Sequence, residues 1–344
     1  MTNDQWNTLL QIVQGNYTGD PVTGFIIDSP WIPGWYGTSH LNYYGSERVW
    51  MEANRKVIDT FPGTIFLPGF WSEYGMCTEP SAFGAKCIWK ENQMPHADRI
   101  IRDASQIVEL RIPNPATDGL LPLMIQRLEA LQPEINGMGH EIKFAIARGP
   151  LNIASFLMGT SELMLAMMLQ PDEIHNLLRI ITDFTSGWIR HQHEKFPTIE
   201  GILLLDDIVG FIGEEEVKSF AVPYITEIFT SIDAKIRFFH NDANGLVSTP
   251  FIGEMGVNLY NFSFEHSINQ IRQLAGEGVA LLGNLPPRDV LAAKSADEVR
   301  EETVKMVNEV TDKSRIIWSC GGGMPPDVAT ENIEAFIETI KNSV

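Results

Sequence analysis

Cysteine is scarce in this chain. The 344 residues hold three, at Cys77, Cys87 and Cys320, and an odd number makes no disulfide framework. The thiols are expected to stay reduced, which leaves Cys320 free to bind metal. Positive charge is also short: 25 Lys and Arg stand against 44 Asp and Glu, a formal charge of −19. Such a surface repels phosphate backbones and anionic headgroups, so nucleic acid and membrane partners are not expected. No stretch approaches the roughly 20 apolar residues that a membrane span requires, and the opening MTNDQWNTLLQIVQGN has neither a basic flank nor a continuous apolar region. The expectation is a cytoplasmic protein. Low-complexity segments and Pro/Gly/Ser linkers are missing too, so residues 1–344 are read as a single domain, of a length ordinary for one α/β barrel.

What is present is a repeating architecture. Eight short β-rich runs recur, at 25–28, 64–67, 142–147, 202–205, 236–240, 257–260, 279–282 and 316–319. Helical periodicity follows most of them, at 214–231, 268–276, 295–310 and 329–343. Segment 155–197 reads as two helices split near Pro171, with Asp172 capping the second. Eight strands alternating with helices predict a (β/α)8 TIM barrel with N-terminal and loop elaborations. The long stretch 68–140 is the main elaboration, and long loops in compact domains are usually functional.

Barrel enzymes place their chemistry at the C-terminal ends of the strands. Those ends carry Asp28, Glu73 in the following loop, Arg148, Asp206 and Asp207, His240 and Asp242, Asn261, Asn284 and Cys320. His240 and Asp242 close one apolar run and Cys320 another, so the three are the expected metal ligands. Imidazole, carboxylate and thiolate suit a borderline-soft cation such as zinc, and three protein ligands leave a fourth position open. The bland alternative is a chance His-x-Asp and a buried, inert thiol. The glycines after Cys320 allow close backbone approach, or simply form a turn. Of Asp206 and Asp207, at least one is expected at the mouth as a general acid or ligand, against the alternative of a helix N-cap. Glu73 is the expected acid from the long loop. Trp31, Trp35 and Tyr36 are either an aromatic wall for substrate, with Asn261 as a polar contact, or ordinary packing. His191 and His193 lie two apart in a helix, which turns the rings away from each other, so they are discounted.

The chain also resembles a known family. The EPSAFG turn, the GILLLDD strand with its EEEVKSFAVPY helix, the HNDAN strand end, the GNLPP turn and the closing PPDVATENIEAFIETI helix are similar to the uroporphyrinogen decarboxylase superfamily. Within it the likeness is greater to the corrinoid-dependent methyltransferase branch, whose zinc site follows a His-x-Cys pattern and a late Cys. Here Asp242 stands where that pattern has its first cysteine, which makes the metal harder and more Lewis acidic. The SPWIPGWYG and FWSEYGMC segments look like those of methyltransferases that demethylate methoxylated compounds. The resemblance therefore implies transfer of a methyl group from a small aromatic methyl ether to the Co(I) of a corrinoid (cobalamin). No Asp-x-His-x-x-Gly corrinoid motif occurs, so a separate corrinoid protein is the implied partner; self-association is left open. Alternatives are transfer from methyl-corrinoid to a thiol or tetrahydrofolate, or uroporphyrinogen decarboxylation. The stretch DPVTGFIIDSPWIPG lacks the early arginines that hold substrate carboxylates in the decarboxylases.

Overall fold

The computed structural model describes residues 1–343. Eight short parallel strands organise it: β1 (Gly24–Ile26), β2 (Ile65–Leu67), β3 (Phe144–Arg148), β4 (Gly201–Leu205), β5 (Ile236–Asn241), β6 (Leu259–Phe262), β7 (Ala280–Leu285) and β8 (Ile316–Cys320). Strands β3 to β8 pair in chain order as one parallel sheet. β1 and β2 form their own parallel ladder, and β1 reaches β8 through the bridges Thr23–Trp318 and Ile26–Gly323. Among the described residues no ladder joins β2 to β3.

The pleat explains why each run is apolar throughout. Alternate residues from all eight strands, among them Ile26, Leu67, Phe144, Leu203, Phe238, Leu259, Leu282 and Ile317, meet in one enclosed cluster. Their neighbours, such as Phe25, Ala145, Leu204, Phe239 and Leu281, face a second and larger cluster shared with the helices. Strands buried on both faces carry no polar alternation. The helix Asn3–Gln14 adds Trp6, Leu9, Ile12 and Val13 to the inner cluster. Arg315 holds the end of that helix by donating to the carbonyls of Val13 and Gln14.

The helices depart from expectation in three places. Segment 155–197 belongs to three helices, Pro150–Met158, Thr160–Leu169 and Pro171–Lys195. Gly159 breaks the first pair at φ +102°, a backbone state that a side chain rarely tolerates. Gln170 caps the third helix, and Asp172 lies in its first turn, where a carboxylate favours the helix dipole. The helical run after Glu214 widens to a π turn at Val217–Ala221, just before Pro223, which has no N–H to continue the ladder. Within the long loop an antiparallel pair, Cys87–Lys90 with Gln93–Ala97, precedes a helix at Leu121–Gly137. No single helix is long and apolar enough to cross a membrane.

Candidate metal centre

The parallel register sets Leu205 opposite His240, so the residues just beyond β4 and β5 emerge side by side. Asp207 opens a short 3-10 turn, and its Oδ1 accepts the Asp242 backbone N–H at 3.2 Å. His240 Nε2 lies 3.6 Å from Asp207 Oδ1 and 3.9 Å from Asp242 Oδ2. One ligating atom from each of Asp207, His240 and Asp242 falls within 4.8 Å of the others. Two ligand atoms on a tetrahedral zinc ion sit roughly 3.4 Å apart; the two His240 separations approach that spacing, and the donor set could hold one small divalent cation. Burial raises the Asp207 carboxyl above its ordinary range; His240 opposes that shift and Asp242 adds to it.

Asp206 faces elsewhere. Its Oδ2 accepts from Leu151 N at 2.9 Å and its Oδ1 from Asn152 N at 3.0 Å, so it caps the helix Pro150–Met158 from a neighbouring strand. Burial holds its carboxyl well above the usual range, with Asp207 adding to the shift. Of the adjacent pair, only Asp207 joins the group that could hold a metal ion, and Asp206 caps a helix.

Cys320 closes β8, fully buried, and lies outside the 4.8 Å group. Its thiol donates weakly to the Gly322 carbonyl at 3.5 Å, and burial pushes its pKa up to about 12. The strand end is nevertheless against the site: a Cβ added at Gly322, which holds φ +123°, would lie 2.8 Å from Asp242 Oδ2. Asn261, expected to touch substrate, is also fully buried, and its Oδ1 lies 2.7 Å from His240 Nδ1. It contacts His240 through the ring nitrogen other than the one near Asp207 and Asp242.

On the other side of the mouth, Glu73 is buried at the end of a different network. Its Oε1 accepts from Ser29 Oγ at 2.6 Å, its Oε2 from Gly75 N at 2.9 Å, and Arg148 lies 3.4 Å away. Arg148 also reaches Glu79 at 3.2 Å, and Glu79 accepts the Arg148 backbone N–H as well. Burial works against the guanidinium charge, but Glu79 and Glu73 outweigh it. Glu73, the acid expected from the long loop, is thus engaged by Ser29, Gly75 and Arg148. Asp28 is the odd member: its Oδ1 is sealed from solvent with no hydrogen-bond partner. Burial, then Glu73, hold its carboxyl well above the ordinary range, against Arg148 and with Asp242 adding.

The aromatic segment packs away from this chemistry. Trp31 is buried, donates to the Val328 carbonyl at 3.0 Å and lies against Trp35, with ring centroids 4.9 Å apart. Trp35 donates to Thr330 Oγ1 at 3.0 Å, and Tyr36 to Glu52 at 3.1 Å. These partners belong to helices Glu47–Thr60 and Thr330–Ser343 and the turn before the latter, so the three rings fasten the outer layer. A cavity of about 410 Å³, lined by Gln5, Asn54, Thr64, Phe66 and His140 among others, includes none of the metal-binding group.

Sequence reasoning passed over Glu79 and the pairing of Arg148. The available signal was a lone basic residue among acidic strand ends, beside the acid of the EPSAFG turn.

Residues 38–343 match the model of the uroporphyrinogen decarboxylase (URO-D) family. The uroporphyrinogen decarboxylase of Chloroherpeton thalassium is 28% identical over 179 residues, covering 50% of this chain and 49% of that protein, about half its length. Among solved structures, a methyltransferase from Methanosarcina mazei superposes with a TM-score of 0.80 at 14% identity, covering 97% of each chain. A B12-independent methionine synthase from Shewanella sp. W3-18-1 superposes with a TM-score of 0.56 at 10% identity, covering 94% of this chain and 98% of that one. At such identities the likeness is one of fold: a parallel α/β architecture shared with these proteins.

Proposed function

The chain belongs to the uroporphyrinogen decarboxylase family, and on that premise we propose that it is a zinc-dependent methyltransferase built on a (β/α)8 barrel. It moves a methyl group from the oxygen of a small aromatic methyl ether to the Co(I) corrinoid of a separate protein. The observation that carries this reading is the Asp207–His240–Asp242 group at adjacent strand ends. One imidazole and two carboxylates form an oxygen-rich donor set, suited to polarising an ether oxygen rather than activating a thiol. Cys320, at the end of β8 across the mouth, is near enough for Asp242 to raise its thiol and would be the further donor there. A zinc ion held there would supply Lewis acidity to the ether oxygen as it departs.

The chain's own residues prepare the rest. Asp207 and Asp242 bring two negative charges to one spot, which favours a divalent cation over a carboxylate-bearing substrate. Arg148, the cation of the opposite side, has both arms engaged by Glu73 and Glu79 and none free for a porphyrinogen carboxylate. Burial, then Glu73, hold the Asp28 carboxyl well above its ordinary range, which makes it the candidate acid for the departing oxygen. The nucleophile arrives with the corrinoid, so no side chain here has to form a covalent intermediate. The named methyltransferase among the fold neighbours is consistent with this chemistry.

The test supplies the zinc-loaded protein with Co(I) cobalamin and a panel of aryl methyl ethers, and follows methylcobalamin by its absorbance. Parallel reactions offer methylcobalamin with thiols or tetrahydrofolate, and uroporphyrinogen with carbon dioxide release as the readout. Methyl transfer from the ethers is expected to dominate, and His240→Ala to reduce it by at least about 100-fold. Faster turnover with thiol, with tetrahydrofolate or with uroporphyrinogen would overturn the ether reading.

A further inference from the structure

We propose that Asn261 selects the metal-binding atom of His240, locking the ring with its proton on Nδ1 and its lone pair on Nε2. This rests on the metal-binding reading of the Asp207–His240–Asp242 group and is independent of methyl transfer.

The argument starts from the two ends of an amide, one of which only donates and the other only accepts. Asn261 Nδ2 donates to the Leu282 carbonyl at 2.8 Å and lies 3.5 Å from the Cys320 carbonyl. Both partners are acceptors without a proton. Turning the amide over would set Oδ1 against two carbonyl oxygens, so the backbones of β7 and β8 decide which end faces β5. Oδ1 therefore meets His240, its cross-strand partner in the ladder, at 2.7 Å. A contact that short needs a hydrogen, and only Nδ1–H can supply it.

The consequence falls on the opposite nitrogen. In the neutral ring Nε2 carries the lone pair, and it points toward Asp207 and Asp242 at 3.6 and 3.9 Å. Those separations are too long for an N–H···O hydrogen bond and suit two ligands of a shared cation. A lone pair facing two carboxylates is repulsive unless a cation lies among them. Asn in place of Asp at position 261 orients the ring without adding another buried charge to an already acidic mouth. Asn261 is thus a positioning residue, and it makes the histidine a ligand through one nitrogen only.

The experiment uses full-length protein labelled with 15N-histidine and read by long-range proton–nitrogen correlation, first metal-free at mildly alkaline pH and then with zinc alone. In the wild type, His240 is expected to show a protonated Nδ1 and an unprotonated Nε2, and zinc is expected to move the Nε2 signal. Asn261→Leu is expected to mix the two tautomers and weaken zinc binding by about 10- to 100-fold in calorimetry. A wild-type ring protonated on Nε2, or zinc bound through Nδ1, overturns the proposal without recourse to any variant. An Asn261→Leu protein with one tautomer and unchanged affinity also overturns it. An Nδ1–H ring in a protein that binds no zinc overturns the metal reading and not the Asn261–His240 orientation.

Discussion

The two sides of the strand-end mouth handle acid in opposite ways: Glu73 and Glu79 are buried, whereas Asp207 is half-buried and Asp242 exposed. On the β1–β3 side, Glu73 and Glu79 share the guanidinium of Arg148, and backbone and hydroxyl donors take up further lone pairs. On the β4–β5 side, Asp207 accepts the Asp242 backbone N–H, and the basic side chain by the two carboxylates is His240, too far for a hydrogen bond to either. The Arg148 pairing is complete as it stands, and Asp28 beside it keeps an unpartnered oxygen. The β4–β5 side lacks positive charge at a spot open to solvent, where a cation can enter between the two carboxylates and the imidazole. The difference assigns stability to one side and binding to the other.

The largest effect that separates them is expected at Arg148. Arg148→Leu leaves Glu73 and Glu79 buried without their cation, which typically costs about 3–5 kcal/mol. Urea denaturation should show that loss, while zinc affinity of the folded fraction stays within about threefold of the wild type. His240→Ala should do the reverse, abolishing zinc binding while losing less stability, about 1–3 kcal/mol for the Asn261 acceptor it leaves unpaired. If Arg148→Leu weakened zinc binding as strongly as His240→Ala, the two sides would be one unit and the division would fail.

A smaller effect comes from pH. Zinc must displace any proton on its ligands, and burial raises the Asp207 carboxyl, so protons compete at higher pH than they do at an ordinary carboxylate. The sign is therefore a loss of affinity as pH falls, up to about tenfold, or 1.4 kcal/mol, per pH unit for each proton displaced. Calorimetry between about pH 7 and pH 5 should show this slope. Asp207→Asn should bind more weakly at neutral pH and with a flatter slope, because one competing proton is gone. A variant curve parallel to the wild type would remove Asp207 from the ligand set.

The contrast between the two sides was only partly legible in the residues. All eight strands stand out because parallel strands buried on both faces must be apolar throughout, and their ends point to His240, Asp242 and Asp207 in turn. Which of Asp206 and Asp207 turns inward depends on the amides of Leu151 and Asn152, more than fifty residues away, and no local pattern carries that. The pairing of Arg148 with Glu79 spans 69 residues and depends on how the long loop folds back. Asn261 reads as a substrate contact from its strand-end position, and only the register with β5 and β7 turns it toward His240.

The smallest effect tests a residue that belongs to neither side. Trp35 resembles a substrate wall in sequence, yet its indole donates to Thr330 Oγ1 and its ring lies against Trp31 and under Lys56. Trp35→Phe keeps an aromatic ring and removes one hydrogen bond, so the expected cost is about 1 kcal/mol in urea denaturation. Because the ring fastens helices of the outer layer, zinc affinity and the KM for any methyl donor should not change. A rise in KM at unchanged stability would put Trp35 back at the mouth. The division drawn above would then lack a third, substrate-facing region.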